Sequence, residues 1–209
     1  MKLSTLTEPS ELNWNVPNGL SMVRLVLALA VGVLIECHWF FAALICFVIA
    51  ASTDFIDGWW ARRFKQVTKL GRILDPFVDK TIIGAAMIAL VGVPNSGIAA
   101  WIVTVVISRE LLVTSLRGMV EGAGGDFSAK QLGKWKMVAQ CAAIIVSLLC
   151  LLQKEPVAWL QWALWTSLWS AVVLTLLSGW EYVVVASRAL SRGKLPTGNS
   201  ETLSSAFKN

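Results

Sequence analysis

The stretch that decides the fold runs from Asp54 to Asp79: D-F-I-D-G-W-W-A-R at 54–62, eight further residues, then G-R-I-L-D-P-F-V-D at 71–79. It sets four carboxylates where two apolar segments meet a basic loop. Asp54 and Asp57 lie three apart, and Asp75 and Asp79 four apart, so on helices each pair projects from one face. Two such faces can form one site. Carboxylates about 4 Å apart repel by about 4 kcal/mol at an effective dielectric of about 20, so four of them beside a membrane need compensating charge. Oxygen-only ligands next to a basic loop point to Mg²⁺ or Mn²⁺ and to a phosphorylated substrate.

The composition around this stretch is that of an integral membrane protein. The chain has 209 residues, 56% of them hydrophobic, and a mean hydropathy of +0.66. Apolar runs long enough to cross about 30 Å of hydrocarbon lie at roughly 20–38, 40–61, 72–93, 97–116, 136–153 and 157–187. The expected fold is therefore an all-α membrane protein of six transmembrane helices, with a polar active-site cavity facing the cytosol. The last run is 31 residues long. At about 1.5 Å per residue that exceeds one crossing, so it tilts, breaks near Gly179 or continues into water.

Orientation follows from the basic residues. With six spans, the N-terminus, the 62–72 loop, the 109–136 region and the C-terminal tail share one side and carry 15 of the 18 Lys and Arg. The opposite turns, near Glu36–Trp39, Pro94–Gly97 and Gln153–Pro156, hold only Lys154. The positive-inside rule then puts both termini and the acidic cluster in the cytosol. The N-terminus lacks the pattern of a cleaved signal peptide, so the first apolar run is expected to remain as a span.

The rest of the chain supports this organisation. Residues 1–16 read as an interfacial segment with a short amphipathic helix starting near Ser10, and Pro17 suits the first turn of the first span. Residues 17–187 form the six-helix domain, with Gly118–Gly133 as its one long, mobile cytosolic loop, and 188–209 read as a disordered cytosolic tail. No internal repeat or second domain is evident. Cys46, Cys141 and Cys150 sit in apolar runs and Cys37 near a helix end, without paired spacing, so they read as small packing residues rather than disulfide or metal ligands. Trp159, Trp162, Trp165 and Trp169 read as an anchoring stripe at the interface or against lipid.

Each motif residue also has a duller reading. Asp75 before Pro76 has the form of a helix N-cap, and Asp79 then favours the positive helix end. That account fails for Asp54 and Asp57, which sit inside an apolar run where a carboxylate costs on the order of 3 kcal/mol. Gly58 and Ala61 flank their face and admit a ring or a diphosphate close to the backbone, although small residues also serve tight helix packing. Arg62 adds a positive charge suited to phosphate oxygens.

The full spacing D-x2-D-G-x2-A-R-x8-G-x3-D-x3-D is met by Asp54, Asp57, Gly58, Ala61, Arg62, Gly71, Asp75 and Asp79 without a gap. It resembles the signature of the CDP-alcohol phosphotransferases, membrane enzymes that join a CDP-activated group to an alcohol and release CMP. The resemblance implies that Asp54, Asp57 and Asp75 bind divalent metal, two ions of Mg²⁺ or Mn²⁺. It implies that Asp79 is the general base with some metal contact, and that Gly58, Ala61, Arg62 and Gly71 hold the CDP-lipid. Within the family the chain is most similar to a bacterial branch that uses glycerol 3-phosphate, over about Asn15 to Gln140. N-V-P-N-G-L-S-M-V-R is similar to that branch's P-N-x-L-T-x-x-R, giving Asn18, Ser21 and Arg24, with Asn18 and Ser21 implied on the CDP-lipid side. Arg109, Glu110 and Arg117 match R-E-x6-R, and Lys134, Lys136 and Gln140 match G-K-x-K-T-x-x-Q, with Met137 in place of the Thr.

Arg109 and Arg117 are eight apart, about 80° around a helix. They can point into one cavity suited to a doubly charged phosphate. Lys134 and Lys136 lie two apart on opposite sides, so one of them faces such a site, while Lys130 and Lys136 equally suit contact with anionic headgroups. Arg109, Arg117, Lys134 and Lys136 are the expected acceptor-phosphate residues. The expected reaction moves a phosphatidyl group from CDP-diacylglycerol to glycerol 3-phosphate in the bacterial inner membrane. Membrane lipids and a second copy in a homodimer are the other expected partners, and nucleic acid is not one. The alternatives are a family member with inositol phosphate, phosphatidylglycerol or serine as acceptor, an intramembrane prenyltransferase, or a divalent-cation transporter.

Overall fold

The computed structural model describes residues 16–64, 69–122, 131–153 and 155–191. Among the described residues six helices follow in chain order: α1 (Val16–Glu36), α2 (Phe40–Phe64), α3 (Lys69–Val91), α4 (Ala100–Gly122), α5 (Gln131–Leu151) and α6 (Ala158–Ser191). No strand occurs among them. The number of helices is the one expected, and Pro17 lies in the first turn of α1. The interfacial segment and most of the tail fall outside the described residues.

The connections on the basic side are shorter than hydropathy suggests. The 62–72 loop contracts because α2 continues to Phe64 and α3 already starts at Lys69. The 118–133 loop contracts likewise, with α4 reaching Gly122 and α5 starting at Gln131. Hydropathy senses only the apolar part of a helix. Arg and Lys are good helix formers whose stems follow apolar surface to water, so the helices run past their apolar limits. Helix α6 is continuous through Gly179, with no break there.

Two compact units emerge, Met1–Ile98 with Ile144–Gln161, and Ala99–Ala143 with Trp162–Asn209. In the first, α1 packs on α2 and α3. Ala28, Val31 and Ile35 on α1, Ala43, Phe47 and Ala50 on α2, and Ala86, Met87 and Leu90 on α3 are fully buried at helical spacing. A Cβ at Gly32 would lie 3.9 Å from the Ala85 carbonyl oxygen, so α1 and α3 approach closely. The α1–α2 turn closes with Trp39 N–H donating to Leu34 O and His38 N–H to Ile35 O, both at 2.9 Å, with His38 at φ 61°. This is the left-handed helix end that usually takes glycine. In the second unit, Leu164, Leu168, Ala171, Val172, Thr175, Ser178 and Tyr182 form one buried stripe along α6.

Hydroxyls on the helices close onto their own backbone. Thr53 donates to Ile49 O, Thr81 to Phe77 O, Thr104 to Ala100 O, Thr114 to Glu110 O and Ser170 to Thr166 O. A hydroxyl satisfied four residues back needs no water. Conversely, large apolar side chains face outward: Val26, Leu29 and Val33 on α1, Phe41, Ile45 and Ile49 on α2, and Trp162, Trp165, Trp169, Leu176 and Trp180 on α6 are 46% to 72% exposed. Gly133–Leu151 and Ala158–Val185 are long and apolar enough to cross a membrane, and Phe40–Thr53 and Lys80–Val91 are shorter apolar helical stretches.

The close contact in the first unit makes a prediction. Ala86→Leu forces bulk into a filled position and should cost about 2 kcal/mol, seen as a lower unfolding midpoint in detergent. Ile88→Leu, on an exposed position of the same helix, should leave the midpoint unchanged.

Candidate active site

Asp54, Asp57, Gly58, Ala61 and Arg62 stand on the C-terminal half of α2, and Gly71, Asp75 and Asp79 on the N-terminal half of α3. Both carboxylate pairs are on helical backbone, where spacings of three and four place residues on a common face. The side chains of these residues, and of Asn18 and Ser21 in the first two turns of α1, lie outside what is described. Among the described residues no group of three or more His, Cys, Asp and Glu is placed to hold a metal ion. The backbone does remove one alternative. Helix α3 begins at Lys69, six residues before Asp75, so Asp75 and Pro76 lie in the helix interior and Asp75 is no N-cap. Pro76 has no N–H for the carbonyl four residues earlier, at Arg72, so the helix loses one rung there. Arg24, one turn before Ala28 on α1, is buried.

The basic residues belong to the second unit, where side chains are described. Arg109 and Glu110 are neighbours on α4 and Lys136 lies on α5. Glu110 Oε1 accepts from Arg109 Nη1 at 3.1 Å and from Lys136 Nζ, so one carboxylate serves two cations. Arg109 Nη2 donates to Ser178 Oγ at 2.9 Å, and the guanidinium carbon sits 5.5 Å from the centre of the Tyr182 ring. Arg109 Nε is buried without a hydrogen-bond partner. Its side chain is only 9% exposed, that of Lys136 8% and that of Glu110 15%. One turn further along α5, Gln140 Nε2 donates to Thr175 Oγ1 at 3.3 Å.

The structure thus brings together Arg109 and Lys136 of the expected acceptor residues. Lys134 is exposed, as its position two residues from Lys136 requires. Arg117 is half-buried two turns beyond Arg109 on α4. Arg109 and Lys136 share the Glu110 carboxylate, and Arg117 stands on the same helix as Arg109 and Glu110. Partly desolvated guanidinium and ammonium donors are suited to a phosphate dianion.

Sequence reasoning missed the contribution of α6. Ser178, Gly179 and Tyr182 all touch or adjoin Arg109. The signal was present as S-G-W-E-Y at 178–182, a polar interruption late in an apolar run. A glycine there invites reading as a helix break, whereas the helix continues and the missing side chain leaves room for Arg109.

A family model described as CDP-alcohol phosphatidyltransferase matches residues 14–187. The chain is similar to the CDP-diacylglycerol–glycerol-3-phosphate 3-phosphatidyltransferase of Bacillus subtilis strain 168, with 44% identity over 68% of this chain and 71% of that one. Proteins of the same name from Cereibacter sphaeroides and Escherichia coli K12 are each 31% identical, over 82% and 84% of this chain and 95% and 96% of their own lengths.

Glu110 is the element on which the two cations depend. Glu110→Ala leaves Arg109 and Lys136 facing one another without their shared anion, and should destabilise by about 2 kcal/mol in chemical unfolding. Lys134→Ala, at an exposed position, should change stability by less than about 0.5 kcal/mol.

Proposed function

Because the chain belongs to the CDP-alcohol phosphatidyltransferase family, we propose that it transfers the phosphatidyl group of CDP-diacylglycerol to glycerol 3-phosphate, yielding phosphatidylglycerophosphate and CMP. The observation that carries this reading is the similarity, over most of the chain, to relatives whose names specify that donor and that acceptor. The unbroken motif on α2 and α3 supports it. So does the partly desolvated cationic cluster of Arg109 and Lys136.

The protein works in the bacterial cytoplasmic membrane as six spans, with termini and active site cytosolic and, on the family resemblance, as a homodimer. Outward-facing Val, Leu, Ile, Phe and Trp on its helices support immersion in lipid. The distribution of Lys and Arg supports the orientation. CDP-diacylglycerol enters from the cytosolic leaflet with its acyl chains remaining in lipid. Gly58 and Ala61 leave room for the nucleotide, and Asn18, Ser21, Arg62 and Gly71 complete its contacts.

Asp54, Asp57, Asp75 and Asp79 are an all-oxygen donor set on two helices, which fits hard divalent cations, so they would hold two ions of Mg²⁺ or Mn²⁺. When bound, such ions neutralise diphosphate charge and the charge developing on departing CMP. Arg109, Arg117 and, of the two lysines, Lys136 bind the acceptor phosphate and orient its glycerol hydroxyl. Asp79 takes the hydroxyl proton as that oxygen attacks the phosphorus bearing diacylglycerol. A new P–O bond forms to glycerol, and the P–O bond to CMP breaks.

Purified protein with CDP-diacylglycerol and Mg²⁺ should release CMP with glycerol 3-phosphate and not with serine, inositol phosphate or phosphatidylglycerol. Inertness with all four would sink the reading. Asp79→Asn should abolish turnover while largely sparing CDP-diacylglycerol binding, and wild-type turnover in that variant would remove Asp79 from the role of base.

A further inference from the structure

We propose that Gly179 is a positioning residue for the acceptor phosphate, acting through Arg109: its missing side chain lets the Arg109 stem cross α6 and fixes where the guanidinium stands. The inference rests on the proposed function, in which Arg109 binds that phosphate. A glycine inside an apolar helix is unfavourable relative to alanine, so its presence calls for a reason. At Gly179 the reason is steric. A Cβ there would lie 3.1 Å from Arg109 Cγ and 3.8 Å from Arg109 Nε. At the helical glycines Gly19, Gly84, Gly118 and Gly133 an added Cβ would meet nothing within 4 Å, and at Gly32 only a backbone oxygen at 3.9 Å. Among these, only at Gly179 does a charged side chain fill the space.

The contact at Gly179 is one point in a chain of restraints along α6. Ser178 accepts from Nη2 one residue earlier, and Tyr182 lies under the cation three residues later. Glu110 holds Nη1 from α4. A methyl group at 179 displaces the stem at Cγ, three bonds before the guanidinium carbon, so the planar fork shifts relative to Ser178, Glu110 and Tyr182. Phosphate binding by arginine depends on that fork's position and direction. The consequence is a selective loss: the acceptor binds less well, while the CDP-lipid side and the proton transfer at Asp79 are untouched.

The test compares wild type, Gly179→Ala, Ser178→Ala, Arg109→Ala and Gly179→Ala in the Arg109→Ala background. Gly84→Ala serves as a control for adding a methyl group to a helix. Steady-state CMP release is measured alongside calorimetric binding of glycerol 3-phosphate and thermal unfolding. Gly179→Ala should raise the KM for glycerol 3-phosphate on the order of tenfold, with kcat and the KM for CDP-diacylglycerol within about twofold and an unfolding midpoint within a few degrees of wild type, the gain in chain entropy offsetting the tight contact. Ser178→Ala should move the same KM in the same direction, and Gly179→Ala should add nothing once Arg109 is alanine. An unchanged acceptor KM in Gly179→Ala would overturn the inference. So would a parallel rise in both KM values with a fallen midpoint, or a further loss in the Arg109→Ala background. If wild type releases no CMP with glycerol 3-phosphate yet binds it with an affinity that Gly179→Ala weakens, the role of Gly179 stands and the functional reading falls. If wild type turns over and Gly179→Ala binds the acceptor with equal affinity, the functional reading stands and the role of Gly179 falls. Absence of both turnover and binding removes both.

Discussion

A helix packed among apolar side chains carries its hydroxyls, amides and charges where water offers no partner, and the polar side chains of this chain are disposed around that shortage. At its mildest the answer is local: threonines on apolar faces bond the carbonyl one turn back. One step further, polar groups pair between segments, as Ser147 does with the Ser96 carbonyl at 2.7 Å and Gln140 with Thr175. At its most demanding, charges are involved. Arg109 and Lys136 are nine-tenths buried and meet on Glu110, while Arg109 spends a further donor on Ser178 and rests against an aromatic face.

The same shortage governs how much could be read from the amino-acid order. Six apolar runs gave six helices among the described residues, because each run is long enough for a helix and bounded by polar turns. Their ends were less legible. Arg62, Arg63 and Lys69 count against a span on any hydropathy scale, yet they extend α2 and begin α3. That extension changes how Asp75 is understood. Read locally, Asp-Pro is a helix entrance; with six helical residues ahead of it, the carboxylate has no capping task. The acidic motif itself was legible because its spacing carries the information. The basic partners were legible in kind, and their division into buried Lys136 and exposed Lys134 awaited the rotation of α5.

What the sequence concealed was the part played by α6. A single chain position can be written as glycine for a turn, a break or a close approach, and only the neighbour reveals which. At Gly179 the neighbour is Arg109, 70 residues earlier, so no local pattern could have named it. Tyr182 and Ser178 were hidden for the same reason: on their own helix they are two buried residues of an apolar stripe, and their meaning comes from the cation laid against them.

Charge and geometry make opposite demands on such a cluster. A phosphate dianion is best met by as many cations as can be gathered, yet cations gathered without an anion repel and lose their directions. One carboxylate between two cations eases the conflict, since Glu110 accepts from both Arg109 and Lys136. Each cation has a donor held on that carboxylate, and Arg109 has a second held on Ser178. On the proposed function, serine, a zwitterion with no net charge, would gain less from guanidinium and ammonium donors than a phosphorylated polyol. In that reading Glu110 holds both cations in place, and α6 contributes Ser178 and Tyr182 as neutral supports for Arg109.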